Sequence, residues 1–324
     1  MTLFEPPGWL DIHAHFQLPI SLEEAQKRIS YYHQAKFMVD SPVLWNADEV
    51  LQYNDTANIQ MQMLSCIPVG LEDLKRTNDY GHRLVQEHPT RFGLLAALPT
   101  DNADACLEEI VRTYSFEILP DGFAVTTFRD GCYLGDARLD VVWQELNKRK
   151  AVVHIHPSAT SPPNMGRPVP LIEVAFDTTR TVVDMIYNRV MRRFPDIKFV
   201  LAHCGGALPV LSGRLALLGT ESWVPNSQGI TKEDIIEQLA SLYVDTAATA
   251  KTGLEPAFRM CGADGCIYGS DCGVPCSTVE TLEENRRDVI EFEKKHGIAV
   301  NTIGNNGWEL FPRAKDRVLQ DQKC

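Results

Sequence analysis

A (β/α)8 barrel of the TIM type, with an insertion after its first strand, is the fold class this sequence predicts. Three observations predict it. The chain has 324 residues, long for an ordinary domain but normal for one α/β barrel. Eight short apolar runs recur along it, with helix-like stretches between most of them. No Gly-x-Gly-x-x-Gly follows the first run, which removes the best reason to prefer a dinucleotide-binding open sheet.

The runs fall at 9–15, 59–67, 91–98, 122–127, 151–156, 198–203, 242–246 and 266–271. Most are nearly continuous in apolar residues, as strands of a parallel sheet covered on both faces must be. Trp9-Leu10-Asp11-Ile12 opens the first and His13-Ala14-His15 ends it. A long excursion, about 16–58, separates it from the second. Residues 71–88 are charged and amphipathic and stop before Pro89, which predicts a helix. Residues 101–114 predict another, with Asp101 as a candidate N-cap. A proline-rich excursion, 157–176, follows the fifth run. Helical spacing then covers 178–194 up to Pro195, and 278–296 reads as a long charged helix with Gly297 just past its end. There is no internal repeat or low-complexity linker, so the expectation is one domain over 1–324. Both excursions leave the C-terminal end of a strand, the face that carries active sites in barrels, and are expected to be lids and pocket walls.

Hydrophobic residues make up 44% of the chain and charged residues 23%, the profile of a globular protein. A formal net charge of −12 argues against nucleic acid and anionic membrane partners. The N-terminus shows no basic region followed by an apolar stretch, and no apolar run is long enough to span a bilayer. Nine cysteines without a CxxC pair suggest free thiols in the cytosol.

The chemistry lies at the strand ends. Residues i and i+2 of a strand point to one side, so His13 and His15 can grip one ion together. The fifth run ends in His154-Ile155-His156-Pro157, the sixth in Ala202-His203-Cys204-Gly205-Gly206, and the eighth in Gly269-Ser270-Asp271. A barrel brings these ends to one rim. Three imidazoles and a carboxylate suit one divalent ion, zinc first, with manganese or cobalt as alternatives. A position left open for water or substrate marks a catalytic metal. His156, at the strand mouth, is favoured as ligand over the deeper His154. His203 reads as a ligand or as a group facing substrate across its glycine turn, and Asp271 as a site residue or a helix cap. Asp11 reads as a packing residue behind the pair, and Cys204 and Cys272 as small buried neighbours. His33, His82, His88 and His296 are expected to be solvated.

Taken together, Asp11-Ile12-His13-Ala14-His15, His156-Pro157, Ala202-His203-Cys204-Gly205-Gly206 and Gly269-Ser270-Asp271 resemble the amidohydrolase superfamily. The likeness is to the branch around aminocarboxymuconate semialdehyde decarboxylase, which includes metal-dependent decarboxylases of hydroxybenzoic acids. It runs from the first strand to Asn305-Asn306-Gly307. The resemblance implies an amidohydrolase-type barrel, with His13, His15, His156 and Asp271 as metal ligands and His203 in proton transfer. It also implies that Arg214, in Ser212-Gly213-Arg214, reaches a neighbouring subunit's site, hence a homodimer.

One departure bears on substrate. The semialdehyde decarboxylase places an arginine in the first excursion, but here no arginine lies between Arg28 and Arg76. The excursion holds Tyr31, Tyr32, Phe37, Trp45 and Tyr53 instead, an aromatic lid suited to an apolar ring. The expected reaction is non-oxidative decarboxylation of an ortho-hydroxybenzoic acid, specifically 6-methylsalicylate to m-cresol in secondary metabolism. Asp271 is the first choice of proton donor and His203 the second, and no organic cofactor is needed. The alternative is a metal-dependent hydrolase acting on a lactone or amide.

Overall fold

A computed structural model describes residues 5–158 and 166–321. Eight parallel strands form one sheet: β1 Trp9–His15, β2 Ile59–Ser65, β3 Phe92–Ala97, β4 Gly122–Thr126, β5 Val152–His156, β6 Lys198–Leu201, β7 Tyr243–Asp245 and β8 Cys266–Ile267. They pair in chain order. The ring closes through backbone hydrogen bonds from the first strand to the chain just past the last. Ile12 N–H donates to the Tyr268 carbonyl, Asp271 N–H to His13, and His15 N–H to Cys272.

Two buried clusters show which residues face where. One contains Leu10, Ile12, Met61, Met63, Leu95, Ala124, Val152, Val200 and Ile267, and is closed below by Trp308, Phe311 and Val318. This is the barrel interior. The other contains the residues of opposite parity, such as Phe123, Val125, Val153, Ile155, Phe199 and Leu201, packed against the surrounding helices. In β1 the parity changes. Leu10 and Ile12 belong to the inner cluster, whereas Ala14 and Phe16 belong to the outer. The register against β2 slips between Asp11 and Ala14, and such a bulge re-aims the side chains beyond it. His13 and His15 therefore both face the barrel mouth.

The helix Leu71–Glu87 lies where the sequence predicts it, and Val279–His296 ends on Gly297 in the left-handed conformation. Two expectations need correction. Asn102, not Asp101, caps the helix Ala103–Thr113 by accepting from Ala105 N–H, because Asp101 is engaged by Arg129. The stretch expected as 178–194 is a longer helix, Val169–Tyr187, and a short one, Val190–Arg193, broken at Arg189 with φ 57°. Pro168 and Pro170 punctuate the sequence like a loop, yet Pro168 is the N-cap of that helix and Pro170 lies in its first turn, where no intrahelical N–H is needed.

The first excursion holds two helices, Leu22–Gln34 and Ala47–Ala57. Its aromatics mostly pack: Trp45 lies against Phe16 and Phe92, and Tyr53 is buried with its hydroxyl on Glu283. Tyr31 is exposed. Phe37, in contrast, borders a cavity at Asp271. Residues 159–165 of the second excursion lie outside the described residues.

A glycine fixes where the chain's last helices meet β1. A Cβ on Gly304 would stand 2.2 Å from the Trp9 ring, which is buried and donates its indole N–H to Asn301. Gly304→Ala is expected to destabilise by about 1–3 kcal/mol, read as a lower urea midpoint. An unchanged midpoint would contradict this packing.

Candidate metal centre

Interior-facing residues climb each strand in tiers. On β5, Val152 lies in the apolar floor, His154 above it and His156 at the mouth. On β1 the bulge lifts His13 and His15 into the same upper tiers. The other two residues come from sharp turns. His203 and Cys204 follow β6 with φ of 57° and 53°, and Asp271 follows β8 with φ of 65°. Left-handed non-glycine residues cost free energy and cluster where function over-determines the backbone.

One ligand atom from each of His13, His15, His156 and Asp271 lies within 4.8 Å of the others. His13 Nε2 is 3.0 Å from His15 Nε2, and Asp271 Oδ1 is 3.5 Å and 3.2 Å from these two nitrogens. The tautomers follow from what the opposite ring nitrogens touch. His13 Nδ1 is 2.8 Å from Asp245 Oδ2, His15 Nδ1 is 3.3 Å from the Ser65 carbonyl, and His156 Nδ1 is 2.9 Å from the Pro157 carbonyl. Each partner is an acceptor, so each Nδ1 holds the proton and each Nε2 is left as a lone pair. Three lone pairs and a carboxylate in one half-buried spot repel one another until a cation sits among them. The donor set therefore fits a divalent metal ion.

Protonation states agree. Burial pushes His13 down to about 4 despite Asp245 beside it, and pushes His156 well below the usual imidazole range. Both are neutral, as ligands must be. Burial opposes the charge on Asp271, yet its carboxyl, set among the imidazoles of His15, His13 and His203, is held down at about 2.

The sequence reading missed Asp245. This fully buried carboxylate at the end of β7 bonds His13 Nδ1 and His154 Nε2 through one oxygen, and the backbone N–H groups of His203 and Ala247 through the other. It fixes three of the site's histidines at once. An acid closing an otherwise apolar strand, Tyr243-Val244-Asp245, was the available signal. Burial opposes its charge, yet His13 and His154 hold it well below the usual carboxylate range. His154 is buried beneath the mouth, as expected. His13, His154 and Asp245 form a second group with metal-ligating spacing, but the 2.9 Å His154–Asp245 hydrogen bond already occupies that carboxylate.

His203 stands with its ring 5.0 Å from that of His13, and its Nδ1 is 3.1 Å from the Ala247 carbonyl. It neighbours the four-residue group without belonging to it. Asp11 is buried behind the site, bonded by Ser270 and Gln62, and burial raises its pKa to about 7. Cys204 and Cys272 are buried. Arg214 is exposed on the helix Leu208–Leu218 and makes no ion pair among the described residues. Of the remaining histidines, His33 is exposed, whereas His82 stacks on Phe116 and is half-buried.

The amidohydrolase family profile matches residues 10–293. A decarboxylase of Penicillium terrestre is 32% identical, with 97% of each chain covered. A 6-methylsalicylic acid decarboxylase of Aspergillus aculeatus is 26% identical over 94% of this chain and 96% of its own. Among solved structures, a dihydroxybenzoic acid decarboxylase from a Polaromonas species, with bound manganese and the inhibitor 2-nitroresorcinol, matches with a TM-score of 0.76. Its identity is 19%, over 96% of this chain and 99% of that one, a likeness of fold.

Removing the carboxylate that orients His13 should loosen the metal without unfolding the barrel. Asp245→Asn is expected to weaken metal affinity about 10–100-fold, measured by competition with a chromophoric chelator. Unaltered affinity would contradict the orienting role.

Proposed function

The chain belongs to the amidohydrolase family, and from that premise we propose that it removes CO2 from an ortho-hydroxybenzoic acid without oxidation, 6-methylsalicylate giving m-cresol. The observation that carries this reading is the convergence of His13, His15, His156 and Asp271 beside His203, in a chain whose relatives of known reaction are decarboxylases. The donor set supports a single divalent ion, zinc by its nitrogen content. Manganese is the ion in the Polaromonas decarboxylase.

Cleaving an aryl carboxylate directly would leave an aryl carbanion. The ring carbon that bears the carboxylate must first be protonated, with electrons supplied by the ortho oxygen. A metal ion held by His13, His15, His156 and Asp271 would supply Lewis acidity that favours charge on the oxygens of the bound acid. Asp271, held as a carboxylate, takes the phenolic proton and returns it to the ring carbon. His203, anchored on the Ala247 carbonyl, orients the ring and relays protons. CO2 leaves as aromaticity returns. No organic cofactor enters this scheme.

A homodimer completes the proposal. The helix Leu208–Leu218 buries only Leu208 and Pro209, and leaves Val210 71% and Leu217 66% exposed beside the unpaired Arg214. Among the described residues no helix is long and apolar enough to cross a membrane, and eight cysteines are free thiols. These features support the cytosol as its compartment, with the whole chain acting as one barrel unit.

The test is one assay. Metal-loaded protein is offered a panel of salicylates, and phenols are followed by chromatography. Turnover of 6-methylsalicylate is expected; turnover of a lactone with no hydroxybenzoate consumed would overturn the reading. His13→Ala should abolish activity along with bound metal. His203→Asn should keep its metal and lose about 10²–10⁴-fold in kcat; loss of metal instead would move His203 into the ligand set.

A further inference from the structure

Two cavities meet the metal cluster. The one at Ser270 and Asp271, about 420 Å³, is rimmed by Lys251, Glu284 and Asp288. The other, about 320 Å³, opens on His15 and His156 and differs in kind. Apart from those two histidines, no described residue lining it carries a formal charge. Its apolar wall is made by Phe16, Ile67, Val274 and Pro275.

That wall is set by the barrel. Phe16 directly follows β1, and Ile67 closely follows β2. Val274 and Pro275 are brought in by Gly273, whose φ is 92° and whose Cβ would stand 2.1 Å from the His15 carbonyl. Only glycine lets the chain pass so close to β1 before turning toward the cavity. The wall is therefore a fixed surface beside His15 and His156, and a ring held at the cluster from this side would lie along it.

We propose that Ile67 and Val274 read the ring substituent, so that the cavity accepts an aryl monocarboxylate bearing a small alkyl group and rejects one bearing a second carboxylate. This deepens the proposed function and rests on it for where the acid binds. A methyl group against Ile67 and Val274 leaves water for apolar contact. A second carboxylate in the same place would be buried with no cation among the described lining residues. A hydroxyl against Ile67 and Val274 gives up that apolar contact, and the polar side chains of the cavity are Gln17, Thr126 and Ser158.

The test uses ligands that cannot react, so binding is read apart from turnover. In 2-nitro-3-methylphenol and 2-nitroresorcinol a nitro group replaces the carboxylate, and the two differ by one methyl against one hydroxyl. Their dissociation constants are measured by calorimetry on the metal-loaded protein. The wild type should bind the methyl analogue about tenfold more tightly. Val274→Thr, which swaps a methyl for a hydroxyl at constant shape, should erase most of that preference. Ile67→Ala should improve binding of the 3-propyl analogue relative to the 3-methyl one. Equal binding of the first two analogues by the wild type, or ratios unmoved in both variants, would overturn the proposal. Selectivity that shifts as stated, in a protein that decarboxylates no salicylate, would sustain this inference and sink the reaction instead.

Discussion

Three imidazole lone pairs and one carboxylate aimed at a single point, with every matching proton already committed elsewhere, is the constraint on which the rest of this structure depends. His13, His15 and His156 each give their Nδ1 proton to an oxygen outside the cluster. Asp271 is ionised against the cost of burial. Such a group has no favourable arrangement without a cation, so the barrel mouth is built as an electron-rich socket. Its surroundings prevent the rings from turning away.

Asp245 contributes most of that prevention. One carboxylate oxygen grips the rings of His13 and His154, and the other grips the backbone at His203 and Ala247. Strands β1, β5, β6 and β7 are thereby tied together at the depth where the chemistry sits. The turns at His203, Cys204, Ala248 and Asp271 all adopt positive φ, a local cost of order 1–3 kcal/mol each. Close sheet pairing and the Asp245 bonds sustain it. Gly269 shows how tight the fit is: a Cβ there would lie 2.8 Å from that of His13 and 2.9 Å from that of Asp245.

Most of the fold was legible because a parallel barrel repeats one simple pattern. All eight strands lie within a residue or two of their apolar runs, except that β8 pairs only briefly before its chain turns to close on β1. The strand-end residues that the sequence singles out also come together: His13, His15, His156 and Asp271 converge, and His203 stands beside them. What stayed hidden has physical reasons. The bulge in β1 has no sequence marker, although it decides that the histidines face inward. Asp245 acts only through partners far away in sequence. Pro168 and Pro170 look like loop residues until the helix they begin is seen. The lid aromatics could not be sorted by type alone, since Trp45 and Tyr53 pack while Phe37 borders a cavity.

The most direct test of the central claim is anomalous diffraction at the metal edge from crystals of the loaded protein. The account predicts one strong peak per chain, bonded by His13, His15, His156 and Asp271, with His203 near but unbonded. A peak among His13, His154 and Asp245 instead, or none after loading, would contradict it.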